Sequence, residues 1–250
     1  MDYLTGKTER GKQKYTTSMA ERQIKSRERV AERGEVFTAE REVNAMLDLV
    51  KQETERIDSR FLEPACGTGN FLVEILRRKL EVVRRQYQKK LGELELQTTI
   101  ALSSIYGVDI MKDNVEECCQ RLHDIVCRWY SEVHPQQKAP SQKLSDVWSY
   151  LLHRNILWGD ALTLCEPVSQ DATIIEKQNA KPITFSEWSF IRDMVIRKDF
   201  HLAALVQAQS ASVPFVKNDQ GGEVYLPPEP INEFRPIHYL KIATYYDTKH

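Results

Sequence analysis

Three acidic residues, each closing a short apolar run, mark where this chain could do chemistry. Glu63 follows Phe61-Leu62 and opens the stretch Glu63-Pro64-Ala65-Cys66-Gly67-Thr68-Gly69-Asn70-Phe71. Asp109 lies in Ile105-Tyr106-Gly107-Val108-Asp109-Ile110, and Asp160 in Asn155-Ile156-Leu157-Trp158-Gly159-Asp160-Ala161-Leu162. A strand, a glycine turn and a helix in succession let backbone N–H groups approach a ligand with no Cβ in the way. Gly67 and Gly69 give that turn, but Leu72 stands where the dinucleotide fingerprint needs a third small residue. A pyrophosphate cradle is therefore disfavoured, and an acid at the strand end repels phosphate while suiting positive charge. The pattern fits a nucleoside-type ligand with an amino-acid tail. At the end of a second strand, Asp109 is placed to accept from both ribose hydroxyls. Its other reading is a cap for the helix that follows, a role Asp113 could fill instead. His123 and Cys127, four residues apart, could share a metal, but no second pair is spaced to complete a site; buried thiols are the simpler reading of Cys118, Cys119 and Cys127.

The elements that must position these acids can be read from periodicity. Thr38 caps a predicted helix with Glu40 and Glu42 in its first turn and Val43, Met46, Leu47 and Val50 on one face. After the glycine turn, Phe71, Leu72, Ile75, Leu76, Leu80 and Val83 form a helical core stripe. Val115, Leu122, Ile125 and Val126 predict a helix after the second strand. His134 to Ser141 reads as a connection, Leu144 to His153 as a short helix, and 182–185 as a fourth strand. Beyond it come a basic segment (Arg192, Arg197, Lys198), a helix over Leu202–Ala208, and a last apolar stretch from Tyr239 to Tyr246.

The bulk numbers set wide bounds. A chain of 250 residues can bury one good core with an appendage. A net charge of −1 predicts no global attraction to nucleic acid, so any such contact must come from local patches. Two are candidates: the cluster of Arg77, Arg78, Lys79, Arg84, Arg85, Lys89 and Lys90, and the basic segment at 192–198. Each reads equally as a solvated face. Residues 1–33 are polar and basic, with a helical pattern around Ala20 to Ala31, and read as a phosphate-contacting arm or a solvated terminus. Five cysteines without a C-x-x-C spacing, and no apolar run of membrane-spanning length, lead us to expect reduced thiols, a cytoplasmic location and no membrane association.

Glu63 to Phe71 resembles motif I of the adenine-specific DNA N6-methyltransferases, in the form found in type I modification subunits and fused type II enzymes. Gly34-Glu35-Val36-Phe37-Thr38 resembles the motif preceding it in that family, with Ala39 where a proline usually follows. Gly159-Asp160 resembles the third motif. The resemblance implies a Rossmann-like class I α/β fold and S-adenosylmethionine as cofactor. The residues it would touch are Phe37, Thr38, Glu63, Pro64, Ala65, Cys66, Gly67, Gly69, Asn70, Phe71, Asp109, Ile110, Asp160 and Ala161. No metal is implied. The family's catalytic turn, Asn, Asp or Ser followed by two prolines and an aromatic, holds the amino group of a flipped adenine. This chain lacks it. Ser186-Glu187-Trp188 follows the fourth strand instead, making Ser186 and Trp188 weak catalytic candidates, and Leu226-Pro227-Pro228-Glu229 reads as an exposed proline-rich loop. The expected organisation is an arm (1–33), a cofactor-binding domain (34–190) whose sheet lacks its C-terminal half, and an irregular segment (191–250) suited to docking a partner. DNA and a second subunit, carrying the catalytic turn and target recognition, are the partners implied. The whole also resembles short M-subunit proteins of restriction–modification systems; a silent cofactor-binding scaffold in a modification complex is the alternative.

Overall fold

A computed structural model describes Arg29 and residues 38–169, 171–208, 215–217, 223–225 and 228–247. The arm (Arg29 apart), the Gly34–Phe37 part of the upstream motif and the Leu226-Pro227 pair lie outside the described residues. The chain divides into two compact units, Met1–Ala39 and Glu40–His250. No helix among the described residues is long and apolar enough to cross a membrane.

The second unit opens with helices α1 (Glu40–Asp48) and α2 (Lys51–Thr54) and is built on a parallel sheet of β1 (Phe61–Glu63), β2 (Ile105–Asp109) and β3 (Ile156–Trp158), in the order β1-β2-β3. Phe61 is level with Ile105, Glu63 with Gly107, and Asp109 with Trp158. The carboxyl ends of all three strands therefore share one edge. Helices α3 (Asn70–Tyr87) and α4 (Leu91–Ser103) cross from β1 to β2; α5 (Lys112–Val133) and α6 (Gln142–Asn155) cross from β2 to β3. Such crossovers cover the sheet, so β2 is buried at all five positions and reads as an unbroken apolar run. The α3 stripe is buried as its period predicts, with Phe71 only partly covered. On α1, Val43 and Leu47 are buried but Met46 is exposed, as is Val50, which lies beyond the helix end at Asp48.

Lys79 corrects the first basic patch. It is fully buried, and its ammonium donates to the carbonyls of Arg56 (3.1 Å), Ile57 (2.9 Å) and Ser59 (2.5 Å) and to the Ser104 hydroxyl (2.8 Å). Burial pushes its pKa down to about 7, while Asp58 nearby opposes the fall. Its neighbours are also engaged: Arg77 with Glu40 and Glu74, Arg78 with Asp48 and Glu74, Arg84 with Glu81. The cluster is not one cationic face; Arg85, Lys89 and Lys90 are its exposed remainder.

The expected fourth strand is the largest departure. After α7 (Ile174–Gln178), β4 (Thr184–Ile191) runs straight through Ser186–Ser189 and pairs antiparallel with β5 (Met194–His201), in a sheet of its own. Ile183, just before β4, crowds Gly159 at the carboxyl edge of β3, whereas Glu187 pairs with Arg60 at the amino end of β1. The strand thus runs opposite to β1–β3 and carries its sequence away from the acidic edge. The described part of 191–250 is more regular than expected: β5, α8 (Leu202–Ala208), the hairpin β6 (Phe215–Lys217) and β7 (Glu223–Tyr225), β8 (Asn232–Glu233), β9 (Ile237–His238), a 3-10 turn and α9 (Ile242–Asp247).

The second basic patch also dissolves. Arg197 is 1% exposed and forks onto Asp199 at 2.8 Å through two nitrogens, donates to Ser186 Oγ (3.0 Å) and Tyr150 OH (3.0 Å), and lies 4.6–5.8 Å from the rings of Phe234, Tyr246 and Trp188. Lys198 pairs with Glu233. Burial alone would raise the Asp199 carboxyl, but hydrogen bonds from Arg197 and Ser186 outweigh it and hold it below its ordinary range. Its folded pKa being depressed, Asp199 adds stability above its unfolded pKa of ~3.9 that is lost as pH falls through the folded value. Asp199→Ala leaves the buried guanidinium without its carboxylate and should cost about 3–5 kcal/mol in urea unfolding at pH 7. A cost below ~1 kcal/mol, the range of exposed pairs, would show the network to be dispensable.

Candidate functional site

The acidic edge is assembled by backbone geometry. Gly67 (φ 52°) and Gly69 (φ 89°) both take left-handed conformations, which L side chains adopt only at a cost. A Cβ on Gly69 would stand 2.5 Å from Cys118 Sγ, so the turn is pressed against α5. Cys66 N–H donates to the Val108 carbonyl (2.9 Å) and Gly69 N–H to the Cys66 carbonyl (2.8 Å), closing the turn over β2. Gly69 then caps α3 with no side chain of its own.

Asp109 holds this arrangement together. One carboxylate oxygen accepts from Gly67 N–H (2.8 Å); the other accepts from Met111 N–H (2.8 Å) and the Asn114 amide (3.2 Å). The helix-cap reading of Asp109 is thus partly met, since it organises the start of α5, whose cap residue is Met111; its other oxygen reaches back to the glycine turn. Asp109 is 8% exposed, and the oxygen bonded to Gly67 keeps a lone pair for one further donor. Glu63 ends β1 with its carboxyl pKa raised by burial and partly offset by the Ala65 N–H (3.4 Å). Asp160 opens the turn after β3 and accepts from Leu162 N–H (2.9 Å), while Gly159 N–H donates to the Asp109 carbonyl (3.0 Å).

Of the residues singled out from sequence, Glu63, Pro64, Ala65, Cys66, Gly67, Gly69, Asn70, Phe71, Asp109, Ile110, Asp160 and Ala161 lie along or beside this edge. Pro64, Ala65 and Ile110 are exposed, Asp160 and Ala161 half-buried, and Cys66 buried beneath the turn. Thr38 falls in the other compact unit and Phe37 lies outside the described residues. Ser186 and Trp188 are corrected: Ser186 is fully buried, bonded to Asp199, Arg154 and Arg197, and the Trp188 indole donates to Asn155 (2.9 Å). Because β4 runs backwards, both are spent in the core of the hairpin and neither reaches the acidic edge. His123 bonds Ser145 (3.0 Å), and no group of three or more His, Cys, Asp or Glu among the described residues is placed to hold a metal ion.

Three supporting residues gave no sequence signal. Asn114 buttresses Asp109, the exposed Trp158 indole donates to the Ile110 carbonyl (2.9 Å), and Arg121 grips the glycine turn from α5. Polar residues on a helix read as solvated faces unless the turn that they meet is already known.

The comparison with known families decides the assignment. The family model described as "MmeI, DNA-methyltransferase domain" matches residues 37–164, more than half of the chain. The chain belongs to that DNA-methyltransferase family. The matched span of this methyltransferase domain takes in the glycine turn, Asp109 and Asp160. The domain is also similar to "DNA methyltransferase A" of Bacillus subtilis (strain 168), 38% identical over 55 residues, 20% of this chain and 6% of that protein. The chain thus aligns with only a small part of that relative's length. No solved structure matches it.

Gly69→Ala should lower stability through both the contact with Cys118 and the left-handed backbone. Pairing it with Cys118→Ala should recover only the contact part, leaving a residual loss of about 1 kcal/mol or more by urea unfolding. Complete recovery would show that the backbone at Gly69 is unstrained. A second test concerns the thiols. Contact with Cys66 and burial push Cys118 far above the usual thiol range, and burial lifts Cys119 to about 12, so neither presents a thiolate. Brief iodoacetamide treatment of the native protein should label the half-buried Cys127 and Cys165 first, as read by peptide mass spectrometry. Early labelling of Cys118 would mean that the turn opens readily.

Proposed function

We propose that this chain is the S-adenosylmethionine-binding subunit of a DNA adenine-N6 methyltransferase in a restriction–modification or defence system, and that a partner chain supplies the catalytic turn and target recognition. One observation carries the reading: a left-handed glycine turn, free of side chains, bound to the acid of the neighbouring strand at 2.8 Å. The donor and acceptor set suits the cofactor. Asp109 would take a ribose hydroxyl on its remaining lone pair, Ile110 offers an exposed apolar surface for a base, and Asp160 with Ala161 would meet the base edge. Glu63 would face the positively charged end, and the start of α3 its amino-acid tail. When bound, the cofactor supplies an electrophilic methyl group. The residues described here bind and orient; none is placed to receive the proton from an adenine amine.

The partner role is supported by an open strand edge. Phe61 N–H donates to the Ser104 carbonyl (2.9 Å), so alternation along β1 points the Leu62 N–H and C=O away from β2, where no described residue pairs with them. Beside that edge lies a groove of about 320 Å³ lined by Leu62, Phe185, Phe200, Leu205 and Val206. An uncovered edge flanked by apolar side chains favours strand addition from another polypeptide. The alternative, a silent cofactor-binding scaffold, is favoured by the burial of Ser186 and Trp188 away from the acidic edge.

Calorimetry should detect S-adenosylmethionine binding to the wild-type chain. Asp109→Ala, its fold checked by thermal melting, should weaken it by about 10- to 100-fold, the worth of a hydrogen bond to a charged group. Unchanged affinity would refute the site. The lone chain should transfer no methyl group to duplex DNA, and addition of the co-purifying partner should restore transfer. Robust transfer by the lone chain would overturn the division of labour; no transfer with the partner present would favour the scaffold.

A further inference from the structure

Arg121, halfway along α5, is the one cation seen on the glycine turn among the described residues. Its Nη1 donates to the Thr68 carbonyl (2.5 Å), the Thr68 hydroxyl (2.9 Å) and Asn70 Oδ1 (3.1 Å). It is half-buried, and no carboxylate pairs with it among the described residues. Thr68 is 5% exposed, so this contact is made beneath the turn. The two gripped residues flank Gly69, the side-chain-free cap of α3, and are the polar side chains nearest the helix start. Threonine and asparagine side chains can turn onto backbone N–H groups a residue or two further on. Here the hydroxyl of Thr68 and the side-chain carbonyl of Asn70 are directed to the guanidinium, and among the described residues no side chain accepts from the N–H groups of Phe71 and Leu72.

We infer that Arg121 is a positioning residue for the amino-acid end of the cofactor. By holding Thr68 and Asn70 it keeps the Phe71 and Leu72 N–H groups available to a carboxylate, and its own charge adds to the positive end of the helix dipole. It also fixes both sides of the left-handed Gly69. The inference rests on the cofactor reading above and deepens it: the turn would recognise the tail of the ligand, while Asp109 and Asp160 recognise the nucleoside.

The test compares two probes, S-adenosylmethionine and 5′-methylthioadenosine, which shares the nucleoside but has no amino-acid tail. Calorimetry on the wild type, Arg121→Met and Arg121→Lys gives the readout, with thermal melting as the folding control. Arg121→Met should weaken S-adenosylmethionine by roughly tenfold or more and methylthioadenosine by less than about twofold, because only the former has a carboxylate to lose. Arg121→Lys keeps the charge without the fork and should fall between. If Arg121→Met does not fold, the same selective loss must appear, smaller, in Arg121→Lys. Equal weakening of both probes, or of neither, would overturn the inference while leaving the cofactor reading intact. A wild type that binds neither probe would sink both.

Discussion

One hydrogen bond, from the Gly67 N–H to the Asp109 carboxylate at 2.8 Å, sets the architecture of the acidic edge. It fastens the turn after the first strand to the end of the second, and requires the turn to pass close over β2. That closeness leaves no room for a Cβ at Gly69, pressed against the buried Cys118 of α5, while the left-handed backbone favours glycine at 67 as well. Asp109 in turn organises Met111 and Asn114, so the start of α5 and the glycine turn share one anchor. The acid is a strut, and in the function proposed for the chain its single open lone pair is what remains for the ligand.

The strands, the glycine turn and the helix stripe were legible because each depends on neighbours within a few residues. Two-sided burial makes β2 an unbroken apolar run, and the 3.6-residue period exposes the α3 stripe. Helix α4 left no such trace: its buried positions are Leu94, Thr98, Thr99, Ala101, Leu102 and Ser103, half of them polar, and the threonines bond their own helix carbonyls. The direction of β4 was not legible either. A strand next to a turn-rich segment reads the same whether it continues a parallel sheet or folds back as a hairpin, and only the Arg197–Asp199–Ser186 network decides it. Buried cations misled in the same way, since Lys79 and Arg197 look like surface charge until their carbonyl and carboxylate partners are located. Arg121 was missed because its partners lie 51 and 53 residues away in sequence.

Two buried cations divide the structural work. Lys79 gathers three carbonyls and a hydroxyl at the amino ends of β1 and β2, opposite the glycine turn. Each of those groups would be costly to bury unpaired, by about 1–3 kcal/mol. Arg197 fixes the hairpin against α6 through Tyr150 and, with Arg154, through their shared carboxylate, and its aromatic surroundings exclude water. Held in that orientation, the hairpin forms a separate sheet and does not pair with β1. Among the described residues the outer edge of β1 has no partner strand, and Ser186 and Trp188 stay within the hairpin core.

The central claim is that the Gly67–Phe71 turn and the Asp109–Met111 bend close together around one ligand. Amide hydrogen exchange, followed by mass spectrometry with and without S-adenosylmethionine, tests it most directly. The account predicts slowed exchange in peptides covering both segments, with little change in the β4–β5 hairpin. Protection confined to the hairpin groove, or no protection at either segment at saturating cofactor, would contradict it.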